Sequence, residues 1–173
     1  AIIKGIEIPM EFCPDKKTCL VFYEKAGLTY RGIGQYETAL FNYNKAIQLA
    51  YELNNIFFIC SIKNNISFLY NKIKKFDLAH FHINQAIELA KQHKHNGWLP
   101  HYLDTKALIY YQQTHFSLAI ETIEEINLAF KNAAQTSLSG ILDYTEDPIV
   151  SVDVLNNTHS CVFDAQLTSV IDN

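Results

Sequence analysis

His93, His95 and His101 crowd one short stretch of the chain, and imidazole is the commonest side-chain ligand of transition metals. A zinc site would need an acid or thiol at matching spacing beside them, and none is there, so the expected reading is a surface loop. His80 and His82 lie two residues apart, which on a helix sends them to different faces and away from a shared metal. Cys13 and Cys19 lack the close pairing of a zinc knuckle. The "GIG" at 32–34 begins like a phosphate-cradling loop, but Glu37 occupies the position of the third glycine and a helical pattern precedes it, so it reads as a turn. No nucleophile can be paired with a base from sequence. The chain is therefore expected not to be an enzyme, with no catalytic residue, no metal ligand and no cofactor.

Composition narrows the partners. Of 173 residues, 49% are hydrophobic and 18% charged, a globular balance with room for a core. The net charge of −4 argues against nucleic acid or an anionic membrane as a direct partner. No apolar run approaches the roughly 18–20 residues that a membrane span needs. The four cysteines (Cys13, Cys19, Cys60 and Cys161) are irregularly spaced in a chain too long to need staples, so they read as reduced thiols in a cytoplasmic protein. The chain begins at Ala rather than Met, which fits a processed chain or a segment of a longer one.

The elements that would position any site are set by an internal repeat. The stretches "GLTYRGIGQYETALFNYNKAI" (27–47), "SFLYNKIKKFDLAHFHINQAI" (67–87) and "ALIYYQQTHFSLAIETIEEIN" (107–127) align without gaps at a period of 40. Small residues recur at Gly27/Ser67/Ala107 and Ala39/Ala79/Ala119, and rings at Tyr30/Tyr70/Tyr110 and Tyr36/Phe76/Phe116. Further columns are Tyr43/Ile83/Ile123 and Ala46/Ala86/Ile126. Spacings of three and four residues put these side chains on one helical stripe, and the small residues let two helix backbones approach. The ring at 36, 76 and 116 is expected to plug each helix junction. Asp15 is a plausible N-cap, Gly97 a stop, and Pro100 a first-turn residue. The pattern predicts helices at 17–33, 36–53, 57–73, 76–93, 100–113 and 116–131.

This pattern resembles the tetratricopeptide repeat (TPR) family over about 17–131. The first unit fits best, with Tyr23, Gly27, Tyr30, Gly34, Tyr36, Ala39, Tyr43 and Ala46 at its aromatic, glycine and alanine positions. Ser67 and Ala107 depart from glycine, Lys63 from the first aromatic and Ile126 from the last alanine, and the period exceeds the usual ~34 residues. The longer period is similar to that of repeats in peptide-sensing regulators of low-GC Gram-positive bacteria. The resemblance implies a mainly α fold of three antiparallel helix-pair repeats that stack on one another, and an array that continues into a longer parent chain or an oligomer.

The resemblance also implies a concave surface, made by the first helix of each pair, that holds a peptide or partner protein. By repeat position that surface would carry Glu24, Lys25, Leu28 and Arg31, then Asn64, Asn65, Phe68, Asn71 and Lys72. From the third unit it would take His101, Asp104, Thr105, Leu108, Tyr111 and Gln112. Asparagine amides can grip a peptide backbone, Lys25, Arg31 and Lys72 can take a carboxylate, and Phe68 and Tyr111 can pack an apolar side chain. The expected peptide-binding residues are thus Lys25, Arg31, Asn64, Asn65, Phe68, Asn71, Lys72, Asp104 and Tyr111. Glu24 stands where carboxylate-holding TPR co-chaperones carry their first lysine, so chaperone binding is not favoured.

From residue 137 the sequence changes character. "GILDYTEDPIVSVD" and "THSCVFDA" carry Gly140, Tyr144, Thr145, Glu146, Asp147, Ser151, Asp153, His159, Ser160, Phe163, Asp164 and Ala165 in a pattern that resembles the catalytic domain of glyceraldehyde-3-phosphate and erythrose-phosphate dehydrogenases. The family's nucleotide loop and catalytic-cysteine segment have no counterpart, and no catalytic role carries onto His159 or Cys161. Alternation at 149–154 and short runs at 161–163 and 167–171 predict two or three strands that must lean on something else. The expected organisation is a lead-in (1–16), a TPR-like array (17–133) and a short β-prone dehydrogenase-like tail (134–173). The expected function is a non-enzymatic peptide-binding scaffold. The alternative is a fusion or fragment derived from an NAD-dependent dehydrogenase and inactive as this chain.

Overall fold

Every helix pair turns through a backbone of the same shape, and that regularity sets the architecture. A computed structural model describes residues 15–94, 96–149, 153–155 and 157–168. Positive φ angles fall at Gly34, Asn54, Lys74, Lys94 and Thr114, one every 20 residues. At four of these turns the next amide reaches back five residues, as in Gln35 N to Tyr30 O (2.9 Å), Asn55 N to Ala50 O (3.0 Å), Lys75 N to Tyr70 O (2.9 Å) and His115 N to Tyr110 O (2.9 Å). This left-handed cap satisfies the carbonyls orphaned at a helix end.

The helices so delimited are α1 (Lys16–Gly32), α2 (Tyr36–Glu52), α3 (Ile56–Lys72), α4 (Phe76–Gln92), α5 (Leu99–Gln112) and α6 (Phe116–Gln135). The first five agree with the sequence expectation to within a residue at each end. Asp15 caps α1 as expected, its Oδ1 accepting from Thr18 N at 2.9 Å, and Asn55 caps α3 through Phe58 N at 3.2 Å. Pro100 sits in the first turn of α5. The sixth helix runs four residues beyond its expected end.

Thr114 is the costly member of the turn series, because a β-branched residue at φ 61° crowds its own backbone. Thr114→Gly is expected to raise the melting temperature, by about 0.5–1 kcal/mol of stability once glycine's extra unfolded-state freedom is set against the relieved strain. An unchanged or lower melting point would show that the turn is unstrained.

The chain divides into two compact units, one within residues 1–95 and one within 96–173. In the first, α1 packs on α2, α3 on α4 and α2 on α3, with α1 also touching α3. Its core joins Leu20, Ala39, Tyr43, Ala46, Ala50, Ile59, Ile62, Ile66 and Leu69. The repeat columns explain the packing: Ala39, Ala79, Ala46 and Ala86 are fully buried where helices cross. Ser67, in the glycine column, uses its buried hydroxyl to donate to Ala79 O at 2.8 Å across the α3–α4 contact.

In the second unit α5 packs on α6, and α6 carries a two-stranded sheet. Strand β1 (Leu142–Thr145) pairs in parallel with β2 (Cys161–Asp164), Leu142 opposite Cys161 and Thr145 opposite Asp164. A two-stranded parallel ribbon buries too little by itself, and here it leans on α6. Phe130 stacks on Phe163 with ring centres 4.1 Å apart, Asn127 Nδ2 donates to Ala165 O at 3.3 Å, and Lys131 pairs with Glu146 at 2.7 Å.

Several expectations are corrected. The strand expected at 149–154 meets a turn at Asp153–Leu155, and 150–152 lie outside the described residues. Of the run expected at 167–171, Leu167 closes a 3-10 turn (Ala165–Leu167), and 169–171 lie outside the described residues. Of the strands read from the residue pattern only that at 161–163 stands, and β1 lies in the "GILDYTEDPIVSVD" stretch, which the dehydrogenase resemblance implies is a strand segment. Phe116 does not plug its junction: it is 54% exposed and meets Tyr111 edge-on at 5.6 Å. Cys19 is disulfide-bonded, while Cys60 and Cys161 are free thiols, and Cys13 lies outside the described residues. Irregular spacing did not exclude such a bond.

Candidate functional site

The α1–α3 contact brings together residues that are 34 to 41 positions apart in sequence. Arg31, in the last turn of α1, lays its guanidinium over the Phe68 ring at 4.6 Å and donates from Nη1 to Asn65 Oδ1 at 3.3 Å. Lys72 approaches the same ring at 5.4 Å. One half-buried phenyl therefore lies within cation–π reach of two cations, worth about 0.5–1 kcal/mol each at partly exposed sites. Two turns earlier on α1, Glu24 is buried and accepts from Ser61 Oγ at 3.1 Å, with exposed Lys25 3.8 Å from its other oxygen. Among the described residues the face thus carries Lys25, Arg31 and Lys72 against the carboxylate of Glu24, and Glu24 is already held from within.

Burial sorts the expected asparagines. Asn65 is half-buried and engaged by Arg31, whereas Asn64 is buried. Asn71 is fully buried, and neither of its amide atoms makes a hydrogen bond among the described residues. Asn71 therefore lies beneath the surface rather than on it, although its repeat position placed it with the others. In the second unit, Asp104 is exposed on α5. Tyr111 lines a largely apolar cavity of about 360 Å³ with Phe116, Ala119, Ile120, Ile123, Glu124 and Thr168.

Among the described residues no group of His, Cys, Asp and Glu is arranged to hold a metal, and His95 lies outside them. His82 is instead structural. It stacks on Tyr70 with ring centres 5.5 Å apart, and burial, helped by nearby Lys63, pushes its pKa down to about 4. A histidine kept neutral by the fold stabilises it fully above its unfolded pKa of about 6.5 and loses that contribution as pH falls toward 4. His82→Phe keeps the ring stack and removes the titration. Between pH 7 and 4.5 the wild type is expected to lose about 1–2 kcal/mol more than the variant, a figure reduced for the solvent that still reaches the ring. Parallel pH profiles from urea melts would contradict this.

The tail's polar residues hold the tail together. The hydrogen bond from Lys131 keeps the Glu146 carboxyl below its ordinary pKa, Asn157 Nδ2 donates to Asp143 Oδ2 at 2.7 Å, and His159 N donates to Asn157 Oδ1 at 2.8 Å. Cys161, at the start of β2, is exposed.

The comparisons with known proteins find two separate matches. Residues 21–52, which span most of α1 and all of α2, match the tetratricopeptide repeat family. Residues 112–173 match the C-terminal domain of glyceraldehyde 3-phosphate dehydrogenase. That segment takes in the whole of α6, so the sixth helix lies both in the third stretch of the 40-residue sequence pattern and in the dehydrogenase match. Glyceraldehyde-3-phosphate dehydrogenase of Mycobacterium avium is 54% identical over 52 residues, which is 30% of this chain and 15% of that protein. Glyceraldehyde-3-phosphate dehydrogenase 2 of Bacillus subtilis is 51% identical over 51 residues, with the same coverage. The chain thus spans about 15% of the length of the curated relatives it matches. No solved structure matches the chain. No helix among the described residues is long and apolar enough to cross a membrane.

Proposed function

We infer that the first unit is a peptide-binding scaffold, and that the α1–α3 face is where the peptide sits. The observation that carries this reading is the Arg31–Phe68–Lys72 cluster with Asn65 beside it. Among the described residues its cations have no carboxylate neighbour apart from Glu24, which is buried and bonded to Ser61. An acidic residue of a peptide would meet Arg31 and Lys72, a neighbouring apolar side chain would cover Phe68, and the Asn65 amide would take a backbone group. Lys25 extends the positive rim, while Asn64 and Asn71 support the face from below.

Panning a displayed library of random peptides on the full chain is expected to enrich sequences with an acid next to an apolar residue. The Arg31→Ala/Phe68→Ala variant is expected to lose that enrichment with its helical circular dichroism intact. Equal enrichment on both proteins would sink the assignment.

A second reading rests on the dehydrogenase match. Residues 112–173 derive from a dehydrogenase catalytic domain, joined here to a repeat unit, and they carry no reaction in this chain. Their polar groups bond within the segment, and the matched length is a small fraction of the relatives' own. A fluorescence titration with NADH is expected to show no saturable binding, and saturation would overturn the non-enzymatic reading.

A further inference from the structure

The second repeat carries Lys63 where the first carries an aromatic, Tyr23, and Lys63 lines a cavity apart from the Arg31–Phe68 cluster. Lys63 is 6% exposed and lines this cavity, of about 530 Å³, between α2, α3 and α4. The volume lies within the range usual for small-molecule sites, about 300–1,000 Å³. Taking an ammonium out of water is costly unless it is paired, and among the described residues Lys63 has no ion pair. It donates one hydrogen bond, to Gln85 Oε1 at 2.7 Å, and faces the Tyr51 ring at 5.8 Å. Two of its three N–H groups thus have no acceptor among the described residues. The cavity is partly open, and its apolar part is formed by Tyr51, 51% exposed, Phe81, 55% exposed, and Leu89, with Asn84, Gln85 and Gln92 making polar wall. Glu88 also stands on the wall, exposed and accepting from Gln92 Nε2 at 3.1 Å.

We propose that this cavity binds a small organic monocarboxylate with an aromatic or aliphatic body. The two carboxylate oxygens take the free N–H groups of Lys63, and the apolar body lies between Tyr51 and Phe81. The charge requirement follows from the buried ammonium, and the apolar body from the exposed rings. Glu88 disfavours a second negative charge on the ligand, which restricts the class to monocarboxylates.

The test uses 3-phenylpropionate and its uncharged amide, 3-phenylpropionamide, titrated into the full chain by calorimetry and by NMR. Saturable binding of the acid is expected, with the amide at least about tenfold weaker. Lys63→Met, which keeps the stem and removes the charge, is expected to lose the acid's advantage, and Lys63→Arg to keep it. Thermal melts of both variants report whether they fold, and the acid–amide comparison in the wild type decides the matter even if Lys63→Met does not. Equal binding of acid and amide, an undiminished acid affinity in Lys63→Met, or no saturable binding of the acid at millimolar concentration would overturn the proposal.

Discussion

Tyr43→Ala will cost the first unit about 3–5 kcal/mol, while Tyr43→Phe will be neutral or stabilising by about 1 kcal/mol. Tyr43 has no exposed surface, sits in the core beside Leu20 and Ala39, and fills the space that the glycine column leaves on α1. Removing the ring leaves a cavity that flanking helices can only partly close. The hydroxyl behaves differently. It is buried and has no hydrogen-bond partner among the described residues, and burial pushes its pKa up to about 12. Deleting an unpaired buried polar group removes a desolvation cost and breaks no bond. Urea unfolding followed by helical circular dichroism separates the two substitutions. A large loss for Tyr43→Phe would mean that the hydroxyl is bonded after all.

The second large effect comes from the other side of the same contact. A Cβ placed on Gly27 would lie 2.5 Å from Tyr43 Cε1 and 2.6 Å from Cδ1, distances at which something must move. The ring is enclosed, so the helices must part instead. Gly27→Val is expected at the upper end of the ~1–3 kcal/mol that overpacking costs, outweighing the gain of up to about 1 kcal/mol from replacing a mid-helix glycine. Because the clash needs the ring, Gly27→Ala combined with Tyr43→Leu should cost less than the two single changes added together. Strict additivity in the double-mutant cycle would show that the two residues do not meet.

These two residues also show why so much of the fold was legible. Gly27 and Tyr43 belong to columns that recur every 40 residues, and the left-handed turns recur every 20, so helix ends could be placed to within a residue. The last helix escaped because its C-terminal end follows a different pattern: Phe130 and Lys131 serve the sheet that follows rather than the repeat. Strand β1 was legible through the dehydrogenase resemblance rather than through alternation: "LDYT" alternates over four residues only, and its partner lies about 20 residues away, whereas the alternating 149–154 run meets a turn.

The candidate face was half legible. Repeat position correctly put Arg31, Asn65 and Phe68 side by side, since helices of equal length in equal register bring equivalent turns together. The same argument misplaced Asn71, whose complete burial depends on the packing around the last turn of α3 and leaves no trace in periodicity. Lys63 was visible only as a departure from the aromatic position, and the cavity around it arises from Tyr51, Phe81 and Gln85 on two other helices.

The account stands most directly on one titration. A peptide enriched by panning is titrated calorimetrically into the full wild-type chain and into Arg31→Ala, with thermal melts of both proteins alongside. The α1–α3 face predicts saturable binding to the wild type and a loss of about tenfold or more, roughly 1.4 kcal/mol, in Arg31→Ala at an unchanged melting temperature. Equal affinity for the two proteins would contradict it.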